Sequence, residues 1–416
     1  LGKEFLVLFM QNHPSANGSL VVKITTTNRS SLKITSSRKL NQTMKLKIER
    51  NTLTLNFNSY ASIPFPFDLA CHELVTEYKA VMIRTTDVTG VTLFDSNDTL
   101  TNDGTLVIPT HKLSTEYLVS STEGLYVSSF HASQFTVGIL HNNTNLNITF
   151  NIKKNESITI DGAAYWSGGV YKKTFGELDT FQVSHERDLT GTYITSNKPV
   201  AVFSGNKCQD FLGTNCSHMV SQLPPIDQLD DNYIIPSFFN NSETLIQVLS
   251  PFHNNVNVST GNDKSRFRLN KKEHSNIRVN TTEITIVNSE RPVMVTGYAM
   301  GSSSNGPYMT VIPGINQYLD YYKIVVPDQY RDNYLCVIIP TGSYNNLYIN
   351  QIPVSQFDAV YQRSVISSGK SFYVRTIPVK EGVYTLRTTD QEPFGLIVYG
   401  HRKNDGYGFA GNFVLP

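Results

Sequence analysis

The chain has 416 residues, and its 35 Lys and Arg against 34 Asp and Glu give a formal charge of +1. Because neither sign is gathered into a long block, the chain is not built to follow a nucleic-acid backbone or to coat an anionic membrane. No apolar run approaches the roughly 20 residues that a membrane-spanning helix needs. The length exceeds what one hydrophobic core usually organises, so several cores are expected.

Proline-containing ends in four segments predict a tandem repeat. TLVIP closes at Pro109, SQLPP has its first proline at Pro224, TVIPG contains Pro313 and FVLP closes at Pro416. An aromatic-led apolar segment opens each copy, at Phe5, Tyr117, Tyr233 and Tyr322. Self-similarity at a regular spacing is typical of tandem modules. We therefore predict four β repeats, comprising residues 1–109, 110–225, 226–314 and 315–416.

A second landmark lies inside every copy, where a β-rich segment breaks at a polar turn and resumes as another apolar segment. The four versions are AVMIRTTDVTGVTLFD from Ala80, GTYITSNKPVAVFSG from Gly191, ITIVNSERPVMVTG from Ile284 and VYTLRTTDQEPFGLIVYG from Val383. Prolines stand where the turn gives way to the strand, at Pro199, Pro292 and Pro393. A missing N–H costs little at such a position.

Strand patterning defines the fold class. The third copy contains seven alternating runs of strand length, YIIPS, TLIQVLS, NNVNVST, RFRLN, NIRVN, EITIVN and PVMVTGYA, and the chain shows no sustained helical periodicity. Seven or eight short strands in about 90–115 residues predict an all-β fold of four tandem β-sandwich-like modules. A propeller blade takes about 40–50 residues, so a single large eight-bladed β-propeller stays open as the alternative.

Glycosylation sequons and cysteines indicate the compartment. Eleven N-x-[ST] sequons occur, more than the Asn, Ser and Thr content would give by chance, at Asn17, Asn28, Asn41, Asn97, Asn142, Asn147, Asn155, Asn215, Asn240, Asn257 and Asn280. Cys208 and Cys216, eight residues apart in a loop, are predicted to form a disulfide, whereas a bridge between Cys71 and Cys336 stays open. We expect a secreted, extracellular glycoprotein.

Three segments give the chain a family resemblance. GKEFLVLFMQN near the start, SNKPVAVFSGNKC followed by CSHMVSQLPP, and VYGHRKNDGYGFAGNFVLP together resemble the N-terminal domain of the IgGFc-binding protein family. The resemblance implies a secreted module at the head of mucin-like proteins, with immunoglobulin Fc as a partner. The chain lacks the Cys-rich modules and GDPH motif of the large mucosal members, so we expect an excised head or a stand-alone relative.

Catalytic and metal signatures are weak. The G-x-S-x-G, H-E-x-x-H and C-x-x-C spacings do not occur, and the ten His residues are scattered singly. Acids of the second copy that could serve glycoside hydrolysis, or be solvated loop residues, are Asp161, Glu177, Asp179 and Glu186. The loop DSNDTLTNDG offers possible calcium ligands at Asp95, Asn97, Asp98 and Asp103, but we favour a plain linker. We predict no enzyme, cofactor or metal site.

An aromatic cluster in the second copy is the clearest ligand-binding candidate. In DGAAYWSGGVYKKTF, Tyr165, Trp166 and Tyr171 stand among glycines. Such aromatics can stack on sugar rings or pack against a partner protein. The competing interpretation is an ordinary core Trp that closes a sandwich.

Three functions remain open at this stage. The leading hypothesis is a binding or adhesion module of mucus or extracellular matrix that engages extracellular glycoproteins, mucins or immunoglobulin Fc. A lectin that uses Trp166 and its neighbours is the alternative, and a carbohydrate-active enzyme is a weaker one. Neither a nucleic-acid partner nor a transmembrane segment is expected.

Overall fold

The computed structural model describes residues 1–12, 18–36, 48–49, 52–97, 101–213 and 216–415. The chain divides into two compact units, Leu1–Asp227 (unit 1) and Gln228–Pro416 (unit 2). Each unit contains two of the four predicted repeats, and the division into repeats itself stays a prediction. Among the described residues, no helix is both long and apolar enough to cross a membrane.

The first half of unit 1 is built on a six-stranded antiparallel sheet. Its strands run in the order β1, β6, β2, β4, β3, with β7 also paired to β6, while β5 joins the next sheet. The strands are β1 (Gly2–Val7), β2 (Gly18–Ser36), β3 (Ile48–Glu49), β4 (Thr52–Phe65), β5 (Thr76–Glu77), β6 (Val81–Asn97) and β7 (Thr101–Leu106). A 3₁₀ turn follows β4 at Phe67–Leu69.

The second half of unit 1 contains an eight-stranded sheet and a separate two-stranded hairpin. Its strands are β8 (Ser114–Leu118), β9 (Ser133–Ile139), β10 (Thr144–Thr149), β11 (Ser157–Ile160), β12 (Ala163–Trp166), β13 (Val170–Phe175), β14 (Thr180–His185), β15 (Tyr193–Gln209) and β16 (Ser217–Gln222). The large sheet runs β13, β10, β15, β9, β14, β5, with β8 and β16 also on β15, and β11 pairs with β12.

Unit 2 contains sheets of seven, four and five strands. The seven-stranded sheet holds β17 (Asp230–Ile235), β18 (Glu243–Leu249), β19 (Asn254–Thr260), β20 (Asp263–Leu269), β21 (His274–Asn280), β22 (Thr285–Ala299) and β23 (Tyr308–Val311). The other sheets hold β24 (Tyr321–Val326), β25 (Asp332–Pro340), β26 (Leu347–Ile349), β27 (Ile352–Pro353), β28 (Tyr361–Ser367), β29 (Lys370–Val379), β30 (Gly382–Thr388), β31 (Gly395–Arg402) and β32 (Asp405–Ala410).

Single 3₁₀ turns join many of these strands. Three of them follow the proline-containing landmarks and precede the aromatic-led strands, at Thr110–Lys112, Ile226–Gln228 and Ile315–Gln317. Two more lie in the last quarter of the chain, at Thr341–Asn346 and Val354–Gln356.

One long strand crosses between two parts of its sheet in each of the second and third predicted repeats. The first part of β22 pairs with β17 and β19, and the part after Pro292 pairs with β18 and β23. Strand β15 does the same on either side of Pro199, with β8 and β10 before and β9 and β16 after. The proline lies where the strand changes partners, so its missing N–H removes no ladder bond.

In three places, a tyrosine hydroxyl links the start of a strand to the backbone just after a landmark proline. The backbone N–H three residues before the tyrosine donates to the hydroxyl at 3.0 Å, from Ser114, Asp230 and Leu319 to Tyr117, Tyr233 and Tyr322. The hydroxyl in turn donates to the carbonyl of the residue after the proline, at 2.7 Å to Val200, 2.5 Å to Val293 and 2.5 Å to Phe394. We name this arrangement the tyrosine tie.

The all-β prediction is confirmed, and the propeller alternative is wrong. A propeller repeats one four-stranded blade, whereas the described sheets have six, eight, two, seven, four and five strands. In unit 2, one hydrophobic core joins residues of the third and fourth predicted repeats, among them Ile246, Val295, Cys336, Val374 and Tyr399. The two repeats therefore do not have separate cores.

Candidate functional site

The predicted aromatic cluster lies on and beside the β11–β12 hairpin of unit 1. A two-residue turn at Asp161 and Gly162 links the strands, with φ of 50° and 79°. Positive φ at both positions is the type I′ geometry that Asp-Gly favours. The hairpin buries Ile158 and Ile160, and the register sets Trp166 opposite Ser157. The turn chemistry thus fixes which face of the hairpin carries the tryptophan.

The three predicted aromatic residues have different surroundings. Trp166 is 55% exposed, so it is not a core tryptophan. Tyr165 is half-buried and meets the Tyr171 ring edge-on at 5.7 Å between centroids. Tyr171 is buried and stacks on Phe181 at 5.2 Å. Trp166 is thus the exposed member of the cluster, while the two tyrosines pack at the base of the hairpin.

The phenol of Tyr171 is fixed by Asp161. Its hydroxyl donates to Asp161 Oδ2 at 3.3 Å. Burial, and then the negative charge of Asp161, raise the pKa of Tyr171. The phenol therefore stays protonated and can act as the donor of this bond over the physiological pH range.

A second candidate surface is a loop that the sequence analysis did not single out. Residues 122–132 leave β8 and return to β9, and the Ser121 and Ser133 hydroxyls, 2.7 Å apart, close the ends. Inside the loop, the His131 N–H donates to the Ser128 carbonyl at 3.1 Å. A Cβ at Gly124 would lie 2.8 Å from the Cβ of His131, so the closed shape needs glycine there. The segment is a compact surface loop with joined ends.

This loop exposes large apolar side chains. We define the apolar patch as Leu125, Tyr126, Val127, Phe130 and Leu212, which are 50%, 55%, 47%, 39% and 40% exposed. The His131 ring lies 5.6 Å from the Tyr126 ring and 5.1 Å from the Phe130 ring. Burial lowers the pKa of His131, so its imidazole is mostly neutral at pH 7. His131 therefore adds no charge to the patch, and the nearest carboxylate is that of Asp210, which accepts the N–H of Leu212 at 2.9 Å.

The disulfide loop supports the patch from one side. A disulfide joins Cys208 and Cys216. Gln209 Nε2 donates to Thr122 Oγ1 at 2.6 Å, which attaches the strand end to the start of the apolar loop. A Cβ added at Gly213 would lie 3.5 Å from Leu125 Cδ2. The disulfide loop and the apolar loop therefore form one surface.

A pocket of about 260 Å³ adjoins the patch at Val127. Its lining includes three glutamates and one arginine, Glu73, Glu156, Glu186 and Arg187. Arg187 donates from Nη1 to Glu123 at 2.8 Å and from Nε to Glu156 at 3.4 Å. Lys207 Nζ pairs with Glu73 at 2.7 Å, so the lining and its ion-pair partners keep only a small excess of carboxylates over cations. This excess suits a positively charged side chain of a partner.

The remaining predicted acids have separate local roles. Asp161 closes the hairpin turn, and Asp179 Oδ2 accepts the N–H of Gly176 at 2.7 Å in another turn. Glu177 and Glu186 are exposed. In the segment expected to be a plain linker, the described residues belong to the paired strands β6 and β7, in which Asp95 and Asp103 stand opposite each other, both buried.

The metal and cysteine predictions can be located only in part. Asp98 lies outside the described residues, as does the side chain of Asn97. Within the described ranges, no group of three or more His, Cys, Asp or Glu side chains could hold a metal ion. Cys71 and Cys336 are both buried free thiols, so the bridge left open between them is not formed.

Most of the predicted sequons that can be described are accessible. The exposed ones are Asn28, Asn142, Asn155, Asn240, Asn257 and Asn280, and Asn147 is half-buried. Asn17, Asn41 and Asn215 lie outside the described residues, and the side chain of Asn97 is not described. Exposure is a requirement for glycan attachment, and the six exposed sites meet it.

Comparison with known proteins places the chain in a family. The sequence model described as IgGFc binding protein matches residues 103–400. The human IgGFc-binding protein is 24% identical over 312 residues, which are 74% of this chain but 6% of that protein's length. The solved major pilin of Streptococcus pyogenes aligns over 99% of this chain and 98% of its own, at 7% identity and a TM-score of 0.15. The solved structure of a membrane-anchored protein of Corynebacterium diphtheriae aligns over 94% of this chain and 98% of its own, at 9% identity and a TM-score of 0.13.

The fold is that of an all-β module built from antiparallel sheets. The chain belongs to the IgGFc-binding protein family, as the resemblance of its landmark segments predicted.

Proposed function

We propose that the chain is a protein-binding module of a secreted glycoprotein and that its partner is the Fc region of immunoglobulin G. The observation that carries the proposal is the apolar patch of unit 1, with the acidic pocket beside it. The exposed sequons and the disulfide support an extracellular setting. Other extracellular glycoproteins, mucins included, are the alternative partners.

The patch has the properties of a binding hot spot. Contiguous exposed apolar side chains are uncommon on monomers and mark interaction sites. Tyr126 and Phe130 offer large areas at low conformational cost, and aromatic residues dominate the energetics of interfaces. The disulfide and the closing serine pair hold the loop in shape before a partner arrives, which lowers the entropy lost on binding.

The choice of Fc comes from the relative rather than from the patch itself. The human relative carries Fc binding in its name, and this chain spans only 6% of that relative. The family model, however, matches residues 103–400, a range that contains the whole apolar patch. Fc binding is therefore a proposal that the patch makes testable.

The test measures binding of a purified IgG Fc fragment to the full chain by surface plasmon resonance. The double variant Tyr126→Ala with Phe130→Ala should weaken binding at least about tenfold. A matched control replaces exposed apolar residues elsewhere, Tyr78→Ala with Ile366→Ala, which are 62% and 71% exposed. The control should bind within about twofold of the unchanged chain.

Two results would reject this proposal. One is the absence of Fc binding by a chain with a normal unfolding midpoint, and the other is an equal loss in the patch variant and the control. Purified mucin is run in parallel, so that a patch-dependent mucin signal without an Fc signal identifies the alternative partner.

A lectin role is the second candidate, and the exposed ring of Trp166 is the observation that favours it. The small side chains Ser157, Thr159 and Ala164 are set around it by the strand register, which leaves room for a sugar ring to stack. On a glycan array, Trp166→Ala should reduce any bound signal about tenfold, while Trp166→Phe keeps part of it. An array on which the unchanged chain binds nothing removes this candidate.

We also propose that the four predicted repeats arose by duplication of one module. The tyrosine tie recurs at the start of the second, third and fourth predicted repeats, at Tyr117, Tyr233 and Tyr322, and each hydroxyl reaches the residue after a landmark proline. Recurrence of one local hydrogen-bond arrangement at the same place in the sequence pattern supports duplication of one module.

A further inference from the structure

A polar cleft in unit 2 stands apart from both surfaces described above. Its volume is about 680 Å³. The turn between β19 and β20, the end of β21 and strand β28 enclose it, and the cations that line it are Lys264, Arg278 and Arg363. Two carboxylates, Asp263 and Glu283, share the lining. The cleft therefore carries an excess of one positive charge.

The cleft guanidinium groups are only loosely engaged. Arg363 Nη2 lies 4.0 Å from Glu283 Oε1, and Arg278 Nη1 lies 3.9 Å from Glu243 Oε2. Both distances are longer than a hydrogen bond. All four side chains are about one third exposed or more. Exposed pairs of this kind are weak and screened by salt. An incoming anion can replace these partners at little cost.

The turn that shapes the cleft depends on one glycine. Gly261 has a φ of 57°, and a Cβ there would lie 2.7 Å from Glu283 Oε2. A side chain at 261 would be strained by its backbone conformation and would displace Glu283. The narrow turn keeps the beginning of β20, which includes Lys264, beside the end of β21.

A basic track continues from the cleft along strand β20. Alternation places Lys264, Arg266 and Arg268 on one face of β20 at intervals of about 7 Å, and all three are exposed. β20 is the edge strand of its sheet, so the track lies at the border of the sheet. Arg266 pairs with Glu290 at 3.3 Å in an exposed position. Cations in such a row suit an extended anionic ligand rather than a single ion.

The uncharged lining distinguishes between anionic ligands. Thr260, Asn262 and Ser265 contribute hydroxyl and amide groups to the cleft, and the aromatic rings on which nucleic-acid bases stack are absent from its lining. Hydroxyl and amide side chains pair well with sugar hydroxyls. We propose that the cleft and the β20 track form a binding site for an acidic oligosaccharide, whose sulfate or carboxylate groups meet the cations. This proposal is independent of Fc binding by unit 1.

The experiment titrates the full chain, by isothermal calorimetry, with a six-nucleotide DNA single strand and with three hexasaccharides. One is a sulfated heparin fragment, one is an oligomer of sialic acid, and one is uncharged maltohexaose. Asn280 lines the cleft and forms a sequon, so every protein used carries Asn280→Gln to leave the cleft uncovered. At least one acidic probe should bind, and maltohexaose should not. Which acidic probe binds identifies sulfate or carboxylate as the recognised group.

Matched charge variants test the location. The cleft variant combines Lys264→Gln, Arg278→Gln and Arg363→Gln and should weaken binding about tenfold. The control variant replaces three exposed lysines of unit 1, at Lys33, Lys153 and Lys172, and should change affinity less than about twofold. Lys264→Glu alone, at an exposed strand position, serves as a second cleft variant and should also weaken binding.

Four outcomes would overturn the proposal. They are no binding of either acidic probe, equal weakening by the cleft and control variants, unchanged affinity in both cleft variants, and tighter binding of a six-nucleotide single strand than of either acidic sugar. Raising the salt concentration from about 50 to 150 mM should lower the affinity for the acidic probe that binds. An affinity that does not change with salt would also contradict the proposal.

Discussion

His401 is a buried residue that makes the stability of unit 2 depend on pH. Its side chain is fully buried in unit 2, and its Nε2 lies 3.2 Å from the Phe239 carbonyl, to which it donates when that nitrogen carries the proton. Tyr308 and Tyr399 pack around the ring at 5.6 and 5.9 Å. Burial lowers the pKa of His401 to about 4, although the Phe239 carbonyl and the charge of Asp332 act in the other direction.

The depressed pKa predicts that unit 2 loses stability in acid. In the unfolded chain the imidazole takes up its proton near pH 6.5, while in the folded chain it stays neutral down to about pH 4. The contribution is therefore complete above pH 6.5 and is lost as the pH falls toward 4. At pH 4.5 the free energy of unfolding should be lower than at pH 7 by about 2–3 kcal/mol from this group alone. Urea unfolding at the two pH values measures it.

The variant His401→Gln separates this effect from other titrating groups. Gln keeps an N–H donor for Phe239 and does not titrate, so its stability should fall less between pH 7 and 4.5, by the same 2–3 kcal/mol. An identical fall in both proteins would contradict the assignment.

Single residues were also where the sequence was least informative. Tyr165, Trp166 and Tyr171 look alike in the sequence, yet Trp166 faces solvent and Tyr171 is buried. The type I′ turn at Asp161 and Gly162 decides this difference, because a shift of one residue in register would exchange the two faces. The apolar patch was missed because YVSSF reads as an ordinary strand segment, and only its loop conformation exposes it.

At the scale of elements, the tyrosine tie links strands that are distant in sequence. Tyr322 accepts from Leu319 N and donates to the Phe394 carbonyl 72 residues away. Both backbone groups are thereby satisfied in a buried place, which is where an unpaired polar group costs most. Phe5 occupies the matching position of the first copy without a hydroxyl, so the tie is absent from that start.

The variant Tyr322→Phe should lower the free energy of unfolding by about 1–3 kcal/mol. The ring volume is kept, but Leu319 N–H and one acceptor site on Phe394 lose their partner. Tyr348→Phe is the control, because Tyr348 is half-buried and its hydroxyl has no hydrogen-bond partner in the described part of the chain. The control should change stability by less than about 0.5 kcal/mol. Equal losses in urea unfolding would contradict a specific role for the tie.

Strands were predicted well where alternation is strong. NNVNVST matches β19 (Asn254–Thr260) residue for residue. EITIVN and PVMVTGYA were expected as two strands, and the structure joins them as β22. The polar turn residues and Pro292 indicated a break, but the strand only changes partners there. Hydrogen-bond partners are set by tertiary packing, which a local pattern does not contain.

One glycine pattern also shows that a local sequence pattern does not contain the tertiary packing. GYGFAG has the G-x-G-x-x-G spacing typical of dinucleotide-binding loops, yet Gly406 and Gly408 lie within strand β32. A Cβ at Gly408 would lie 2.4 Å from the Tyr308 ring, and one at Gly411 would lie 2.8 Å from the Tyr322 ring. These glycines make room for tyrosines, so the motif has a packing explanation.

For the whole molecule, the sequence predicted four repeats, and packing pairs them into two units. The landmarks recur about every hundred residues and give no sign of which faces share a core. In unit 2, Cys336 and Val374 of the last repeat pack in the same core as Ile246 and Val295 of the preceding one. The proline-containing segment ends therefore predict where repeats begin and end, but they do not predict which predicted repeats share a hydrophobic core.

The two unpaired cysteines have a practical consequence at this scale. Cys71 is buried in unit 1 and Cys336 in unit 2, and burial raises the pKa of each thiol to about 12. A thiol in this state does not react with an alkylating reagent until the surrounding structure opens. Each unit thus contains its own chemical reporter. Mass spectrometry of alkylated peptides can follow the opening of one unit separately from the other, with no engineered label.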